Sequence, residues 1–396
     1  MNKHKNKLLI AGIILVACVL RTPLTGVGSL ISQIRPELDL SHFLSGMITT
    51  IPLIAFAAVS PFVGKLSGAF GAGKTLTLSL FVLTAGIVLR SMGGSAGFFP
   101  GTAVICIGIA VGNVLLPSII KSAFPDKVGL LTGIYTTCIA ISAGVSSGIS
   151  IPLSHSNNFG WRGSLSIWVL LTLPAIIIWL PLWNYRTNEP SAGGQVSLKV
   201  LLRSPAAWSV TVYMGVQSLL FYSFVAWLPA ILQSKGISPD SSGYYASLYQ
   251  WAGIPASFAV PLLAAGYKDQ KLLSAIISII YAAGLILVLV SGGHTGLLGG
   301  VLLCGFCTGA CLSLAMCLIG LRTKNASQAA SLSGISQSFG YALAAVSPTL
   351  LGGIYDSMES WTVPLLVLIA MTVILLISGV QAGLWCIKKE WVMGQD

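Results

Sequence analysis

The first feature of this chain that could do chemistry is a guanidinium group set in an apolar helix. Leu20-Arg21-Thr22-Pro23-Leu24-Thr25-Gly26-Val27-Gly28 lies in an apolar stretch that reads as one continuous helix from about Leu8 to Ile31. At a rise of about 1.5 Å per residue, Arg21 stands roughly 20 Å from the Leu8 end and roughly 15 Å from the Ile31 end, near the middle of a hydrocarbon layer about 30 Å thick. A charge there costs roughly 2.5–3.5 kcal/mol on insertion scales, and arginine cannot escape by losing its proton. A partner carboxylate, a water-filled cavity or an anionic ligand must compensate.

The acidic residues bear on that choice. Glu37, Asp39, Asp240, Asp356 and Glu359 fall in loops on one side, and Asp126, Glu189, Asp269, Glu390 and Asp396 on the other, so none of the ten lies within a predicted span. His4, His42, His155 and His294 likewise sit in loops or near the N-terminus. A built-in proton relay is therefore not expected, unless a loop histidine or the substrate carries the proton. Water, an incoming anion, or both remain for Arg21. Polar groups placed to share a cavity with it are Asn113, Tyr135 to Thr137, Gln217, Tyr222, Tyr249, Gln250, Ser336, Gln337 and Tyr341. In lipid such groups often only join helices, at about 0.6 kcal/mol each, and a guanidinium is too costly for that role. The expected substrate-binding set is Arg21, Asn113, Tyr135, Gln217, Tyr222, Gln250, Gln337 and Tyr341, with no catalytic residue, no cofactor and no metal site.

Two other patterns carry less. Gly68-Ala69-Phe70-Gly71-Ala72-Gly73-Lys74-Thr75 fits the phosphate-cradling Gly-x4-Gly-Lys-Thr pattern in full. That chemistry needs a preceding β-strand and a later strand ending in a magnesium-binding aspartate, and neither is present, so the stretch reads as a short glycine-rich loop between spans 2 and 3. Of Cys304, Cys307, Cys311 and Cys317, the first three fall close to one helical face, but without histidines or loop geometry all four read as small packing residues.

The elements that must position these residues are membrane spans. The chain has 396 residues, 55% hydrophobic and 8% charged, with a mean hydropathy of +0.88. Soluble domains carry about 25% charged residues. Apolar runs near span length recur throughout, centred roughly on residues 20, 54, 83, 109, 140, 174, 219, 254, 281, 307, 340 and 373, which makes twelve expected spans. With the N-terminus in the cytoplasm, sixteen of the 21 basic residues fall on that side. Arg35, Arg90, Arg162 and Lys235 fall outside, and Arg21 lies within the membrane. The net charge of +11 thus orients the chain, with both ends cytoplasmic, and does not indicate nucleic acid. No cleavage site follows Lys3, Lys5, Lys7 and the first apolar run, so the first span is expected to be retained.

A weak internal repeat recurs at an offset near 200 residues. Gly108 and Gly112 match Gly305 and Gly309, Leu131-Thr132-Gly133-Ile134 matches Leu332-Ser333-Gly334-Ile335, and Pro61 matches Pro261. Two six-helix halves related in this way are the pattern of a rocking transporter, with its site expected between the halves near the midplane. The sequence divides into an N-terminal bundle over 1–184, a polar cytoplasmic linker over 185–205 and a C-terminal bundle over 206–396.

These spans resemble the major facilitator superfamily, and within it the cyanate and 2-nitroimidazole transporter family. The resemblance is carried nearly end to end by Leu20-Arg21 with Leu24-Thr25, Gly112-Asn113-Val114-Leu115-Leu116-Pro117 and Gly160-Trp161-Arg162. In the second half it is carried by Ser204-Pro205 with Trp208, Tyr222 with Trp227-Leu228-Pro229, and Gln337-Ser338-Phe339-Gly340-Tyr341 leading to Pro348. It implies an all-α fold of twelve transmembrane helices in two six-helix bundles, alternating access, and movement of small solutes across a bacterial cell membrane. Three positions depart from it. Val19 stands where many members carry asparagine, Gly68 stands where the superfamily's loop carries aspartate, and Gly144-Val145-Ser146-Ser147-Gly148 replaces the Gly-Pro pair of drug antiporters. The last argues against a proton-driven multidrug exporter. The resulting expectation is a monomeric transporter of a small anion or compact polar solute, with no nucleic-acid partner. The alternatives are efflux of small toxic compounds such as 2-nitroimidazoles and, from another class, a membrane-embedded sensor with a transporter fold.

Overall fold

The computed structural model describes residues 3–39, 42–156, 159–187 and 203–384. Most of the expected 185–205 linker and the charged C-terminal segment lie outside the described residues. The described chain is helical throughout, as lipid requires, because a helix pairs its backbone groups within one segment. In order the helices are α1 (Lys3–Val19), α2 (Thr22–Ser29), α3 (Ile31–Glu37), α4 (His42–Phe70), α5 (Ala72–Met92), α6 (Gly94–Ala123), α7 (Val128–His155), α8 (Gly160–Ser166) and α9 (Val169–Trp179). They continue with α10 (Pro205–Ser234), α11 (Pro239–Gly266), α12 (Lys271–Val290), α13 (His294–Arg322), α14 (Ala326–Met358) and α15 (Thr362–Leu384).

Among the described residues, eleven helical stretches are long and apolar enough to cross a membrane. The remaining expected span, centred near residue 340, is α14. At 33 residues it has ample length, but Ser327, Gln328, Ser331, Ser333, Ser336, Gln337 and Ser338 dilute its apolar character. Helix starts follow local chemistry where the sequence supplies it. The Ser204 and Ser238 hydroxyls accept the amides of Ala207 and Ser241 at 3.3 Å, each followed by a proline at the first helical position.

The first span is not one continuous helix, contrary to the sequence reading. Pro23 has no N–H to donate to the Val19 carbonyl, and its ring disfavours the helical conformation at Thr22. The chain leaves the helix after Val19, and Arg21, at φ −121° and ψ −33°, becomes the N-cap of α2. The amides of Leu24 and Thr25 donate to the Arg21 carbonyl at 3.0 and 3.1 Å, and the Thr25 hydroxyl adds a third bond at 3.1 Å. A second break at Leu30 separates α2 from α3. Prolines 52, 117, 229, 255 and 348 stay inside helices, so the break is particular to this sequence context.

The chain packs as two compact units. The first comprises Met1–Pro125, Cys138–Gln195 and Asn325–Gly334; the second comprises Asp126–Thr137, Val196–Lys324 and Ile335–Asp396. Helices α7 and α14 thus each contribute their first turns to one unit and the remainder to the other.

In the first unit α5 lies along α6, α4 also packs on α6, and α9 packs on α1 and α5. Val27 of α2, Leu30 at the break and Ile34 of α3 join Ile48, Phe98, Trp161 and Leu165 in one buried cluster, with Phe98 edge-on to Trp161 at 5.8 Å. In the second unit α13 packs on α11 and α12, and α15 on α10 and α12. A side chain at Gly309 would overlap the Gly253 backbone, so glycine sets the α11–α13 approach, as small residues do between helices in lipid.

Candidate functional site

The candidate residues divide between the units. Arg21 and Asn113 belong to the first; Tyr135, Gln217, Tyr222, Gln250, Gln337 and Tyr341 belong to the second.

In the first unit the broken span is held by hydroxyls on α7. Ser146 Oγ donates to the Thr22 carbonyl at 2.7 Å, Ser29 Oγ donates to the Ser147 carbonyl at 3.0 Å, and Gln33 Nε2 donates to Ser154 Oγ at 2.8 Å. Ser146, Ser150 and Ser154 recur every four residues, so they share one face of α7. Gly26 sits against that face, where a Cβ would overlap Ser150 Oγ and lie 3.0 Å from Ser146 Oγ. From the other side Arg90 Nη1 donates to the Pro23 carbonyl at 2.6 Å. The carbonyls that follow Arg21 are therefore gripped by two other helices.

Arg21 itself is half-buried. Its guanidinium extends from the start of α2, where a helix carries the positive end of its dipole, so cation and dipole both favour an anion. Gly112 of α6 packs against Leu20, the residue before Arg21, and the buried Asn113 follows Gly112 directly.

In the second unit the aromatic members come together. Tyr222 and Tyr341 meet edge-on at 6.4 Å, and Phe221 packs edge-on to Tyr222 at 4.9 Å. Phe221 also stacks on Tyr249 at 6.5 Å. The buried Tyr135 hydroxyl has no hydrogen-bond partner among the described residues and lies in electrostatic range of Tyr341 and Cys317. Gln337 is fully enclosed.

Two glutamines behave differently. Gln217 turns Nε2 to Ser218 Oγ at 2.8 Å and is buried, while Gln250 is exposed. Tyr249, beside Gln250, is instead tied into the helix packing. Its hydroxyl and that of Tyr281 both meet Thr308 Oγ1, at 2.6 and 3.1 Å.

The structure also accounts for the phosphate-loop look-alike. Helix α4 ends at Phe70 and α5 starts at Ala72, leaving Gly71 alone between them at φ +92°. The Gly73 amide, which a phosphate loop would offer to a nucleotide, donates to the Tyr185 carbonyl at 2.9 Å. A Cβ at Gly73 would overlap the Leu182 carbonyl oxygen. Burial pushes the Tyr185 hydroxyl up from its ordinary range, with a hydrogen bond to Ser122 opposing the shift. Among the described residues there is no group of three or more His, Cys, Asp or Glu side chains that could hold a metal ion.

Sequence reasoning missed Arg90. The sequence places it outside the membrane with Arg35, Arg162 and Lys235; in the structure it lies in the last turn of α5, within a span-length apolar stretch, and is 0% exposed. The serine face of α7 was legible as Ser146, Ser150 and Ser154 at four-residue spacing, but nothing in the sequence said which helix it met.

Comparisons with known proteins agree with this architecture. The family profile described as Major Facilitator Superfamily matches residues 13–348. The 2-nitroimidazole transporter of Escherichia coli (strain K12) is 39% identical over 381 residues, covering 96% of both chains. The cyanate transport protein CynX of the same organism is 22% identical over 262 residues, covering 66% of this chain and 68% of its own. Among solved structures, the proton:xylose symporter XylE bound to 6-bromo-6-deoxy-D-glucose superposes with a TM-score of 0.77 at 13% identity, covering 97% of this chain and 95% of that one.

Proposed function

The chain belongs to the major facilitator superfamily and is a multi-pass membrane transporter of small molecules rather than an enzyme, and on that premise we propose that it moves a small anion or compact polar solute, cyanate-like in size and charge, by alternating access. The observation that carries this reading is the break at Arg21. An arginine at the N-cap of α2, half-buried and at the positive end of that helix, is an arrangement that favours negative charge. In this reading Arg21 supplies the charge, Asn113 and Gln337 supply hydrogen bonds, and Tyr222 and Tyr341 line the path of the solute. Tyr135, Gln217 and Gln250 complete the set. The protein sits in a bacterial cell membrane with both termini cytoplasmic and works as a monomer. Uptake into proteoliposomes tests the reading: Arg21→Ala is expected to lower anion uptake at least tenfold, and unchanged uptake would overturn it.

A second reading, efflux of a nitroaromatic, is favoured by a specific observation. Identity to the 2-nitroimidazole transporter is higher and spans more of the chain than identity to the cyanate transport protein. A nitroimidazole is planar with two partly negative oxygens, so Arg21 could hold the nitro group while Tyr222 and Tyr341 present ring surfaces. A deletion strain separates the readings. Loss of an exporter sensitises cells to nitroimidazoles, whereas loss of an importer of anions does not.

A further inference from the structure

Four arginines, Arg21, Arg90, Arg162 and Arg322, lie in or at the end of apolar spans among the described residues, and Arg90 and Arg322 are buried. Arg322, at the end of α13, is 6% exposed and well supplied with acceptors: Nε donates to the Ala382 carbonyl at 2.7 Å, and Nη2 donates to Gly383 O at 2.5 Å and to Gln270 Oε1. Arg90 is 0% exposed and makes one hydrogen bond, Nη1 to the Pro23 carbonyl, leaving Nε and Nη2 without a partner among the described residues. The described ion pairs are Arg162 with Glu37 and Lys271 with Asp269, so none involves Arg90. The titratable group in electrostatic range of Arg90 is the Cys106 thiol on α6, which is no counter-ion.

The surroundings raise the demand for negative charge. The carbonyl that Arg90 grips belongs to the first turn of α2, so its guanidinium lies at the positive end of that helix, where a cation is disfavoured. Arg21 caps the same helix end. Thr22, next to Pro23 in the chain, is 2% exposed and its hydroxyl also lacks a partner among the described residues. A guanidinium does not deprotonate in proteins, and an uncompensated buried charge is strongly destabilising. Unfilled donors, helix dipole and missing carboxylate all call for the same kind of ligand.

We propose that Arg90 and Thr22, at the first turn of α2, form a binding site for a small inorganic anion of halide size. This anion is a resident counter-ion, separate from the transported solute. The difference in burial supports the separation: Arg21 is half-buried and can exchange ligand, whereas Arg90 is sealed among α2, α5 and α6 and would hold its ion through the cycle. Such an ion would fix α2 in place behind Arg21, because binding to the folded state alone stabilises it.

The test uses the full chain purified in detergent and dialysed into sodium gluconate, titrated with sodium bromide while thermal unfolding is followed. Wild type and Arg21→Ala are expected to show a saturable rise in Tm of a few degrees, Arg90→Gln no saturable rise, and Arg90→Lys a weaker one. Crystals grown in bromide supply a measurement that needs no variant: anomalous scattering should place an ion beside the Arg90 guanidinium. No saturable shift in wild type, or bromide-grown crystals without that ion, would overturn the proposal. So would a halide shift that survives Arg90→Gln and disappears in Arg21→Ala, because the ion would then belong to the transport site. Failure of the transport reading leaves this outcome untouched, since it is read from uptake by Arg21→Ala.

Discussion

Gly26→Ala should destabilise the protein far more than the same change at Gly28, two residues away on the same short helix. At Gly26 the new methyl group would overlap Ser150 Oγ and crowd Ser146 Oγ at 3.0 Å. Ser146 cannot yield freely, because its hydroxyl donates to the Thr22 carbonyl at 2.7 Å, and Ser150 is bonded to the Ser146 carbonyl at 2.6 Å. Overpacking a tight contact costs about 1–3 kcal/mol, and losing the Ser146 hydrogen bond adds about 0.5–1.5 kcal/mol. The expected loss is thus about 2–4 kcal/mol. Gly28 is exposed and a Cβ there meets nothing within 4 Å, so Gly28→Ala should be neutral or stabilise by up to about 1 kcal/mol through lower unfolded-state entropy. The assay is unfolding of the purified variants in detergent, with Ser150→Ala and the double variant Gly26→Ala/Ser150→Ala completing a cycle. Removing the Ser150 hydroxyl opens space for the methyl, so the double variant should recover about 1 kcal/mol or more of the loss. Equal stability of the two alanine variants, or strict additivity in the cycle, would refute the packing of α2 on the serine face of α7.

Two further predictions concern the ends of the units. Glu37 accepts hydrogen bonds from Trp161 Nε1 at 2.6 Å and from Arg162, and the Arg162 hydrogen bond is the main reason its carboxyl lies below the ordinary value of about 4.5. A carboxyl with a lowered folded-state pKa stabilises above its unfolded value and loses that contribution as pH falls through the folded one. Wild type should therefore lose Tm below about pH 4.5 more steeply than Glu37→Gln, read from thermal melts across that range. In the second unit Thr308→Val should cost about 1–3 kcal/mol, because the buried hydroxyls of Tyr249 and Tyr281 both lose their shared partner, while Thr308→Ser should keep most of the stability.

Much of this protein is local information. Hydropathy along the chain marks the spans, and the absence of carboxylates from the apolar runs singles out Arg21, because each of these is a property of short windows that lipid reads directly. The look-alike phosphate loop lacks, in sequence, the strand its chemistry needs, and in the structure the Gly73 amide is bonded to the Tyr185 carbonyl. The glycines of the weak repeat all sit at close helix contacts, but not at matching ones: Gly108 and Gly112 meet α5 and Leu20, while Gly305 and Gly309 both meet α11.

What the windows could not reveal depended on partners far away in sequence. A proline in an apolar run is compatible with a kinked helix or a break, and Pro23 breaks the span where Ser146 and Arg90 hold the Thr22 and Pro23 carbonyls from other helices. Arg90 reads from the charge distribution as lying outside the membrane; only the packing of α5 on α6 and α2 shows that it is sealed inside the protein. The candidate tyrosines are individually visible in the sequence, but the meeting of Tyr222 with Tyr341 rests on two helices more than a hundred residues apart. Sequence by itself determined a twelve-span transporter with one conspicuous cation. Tertiary structure decided that the cation caps a broken helix and that a second, fully buried arginine stands behind it, because burial and hydrogen bonding are set by neighbours in space.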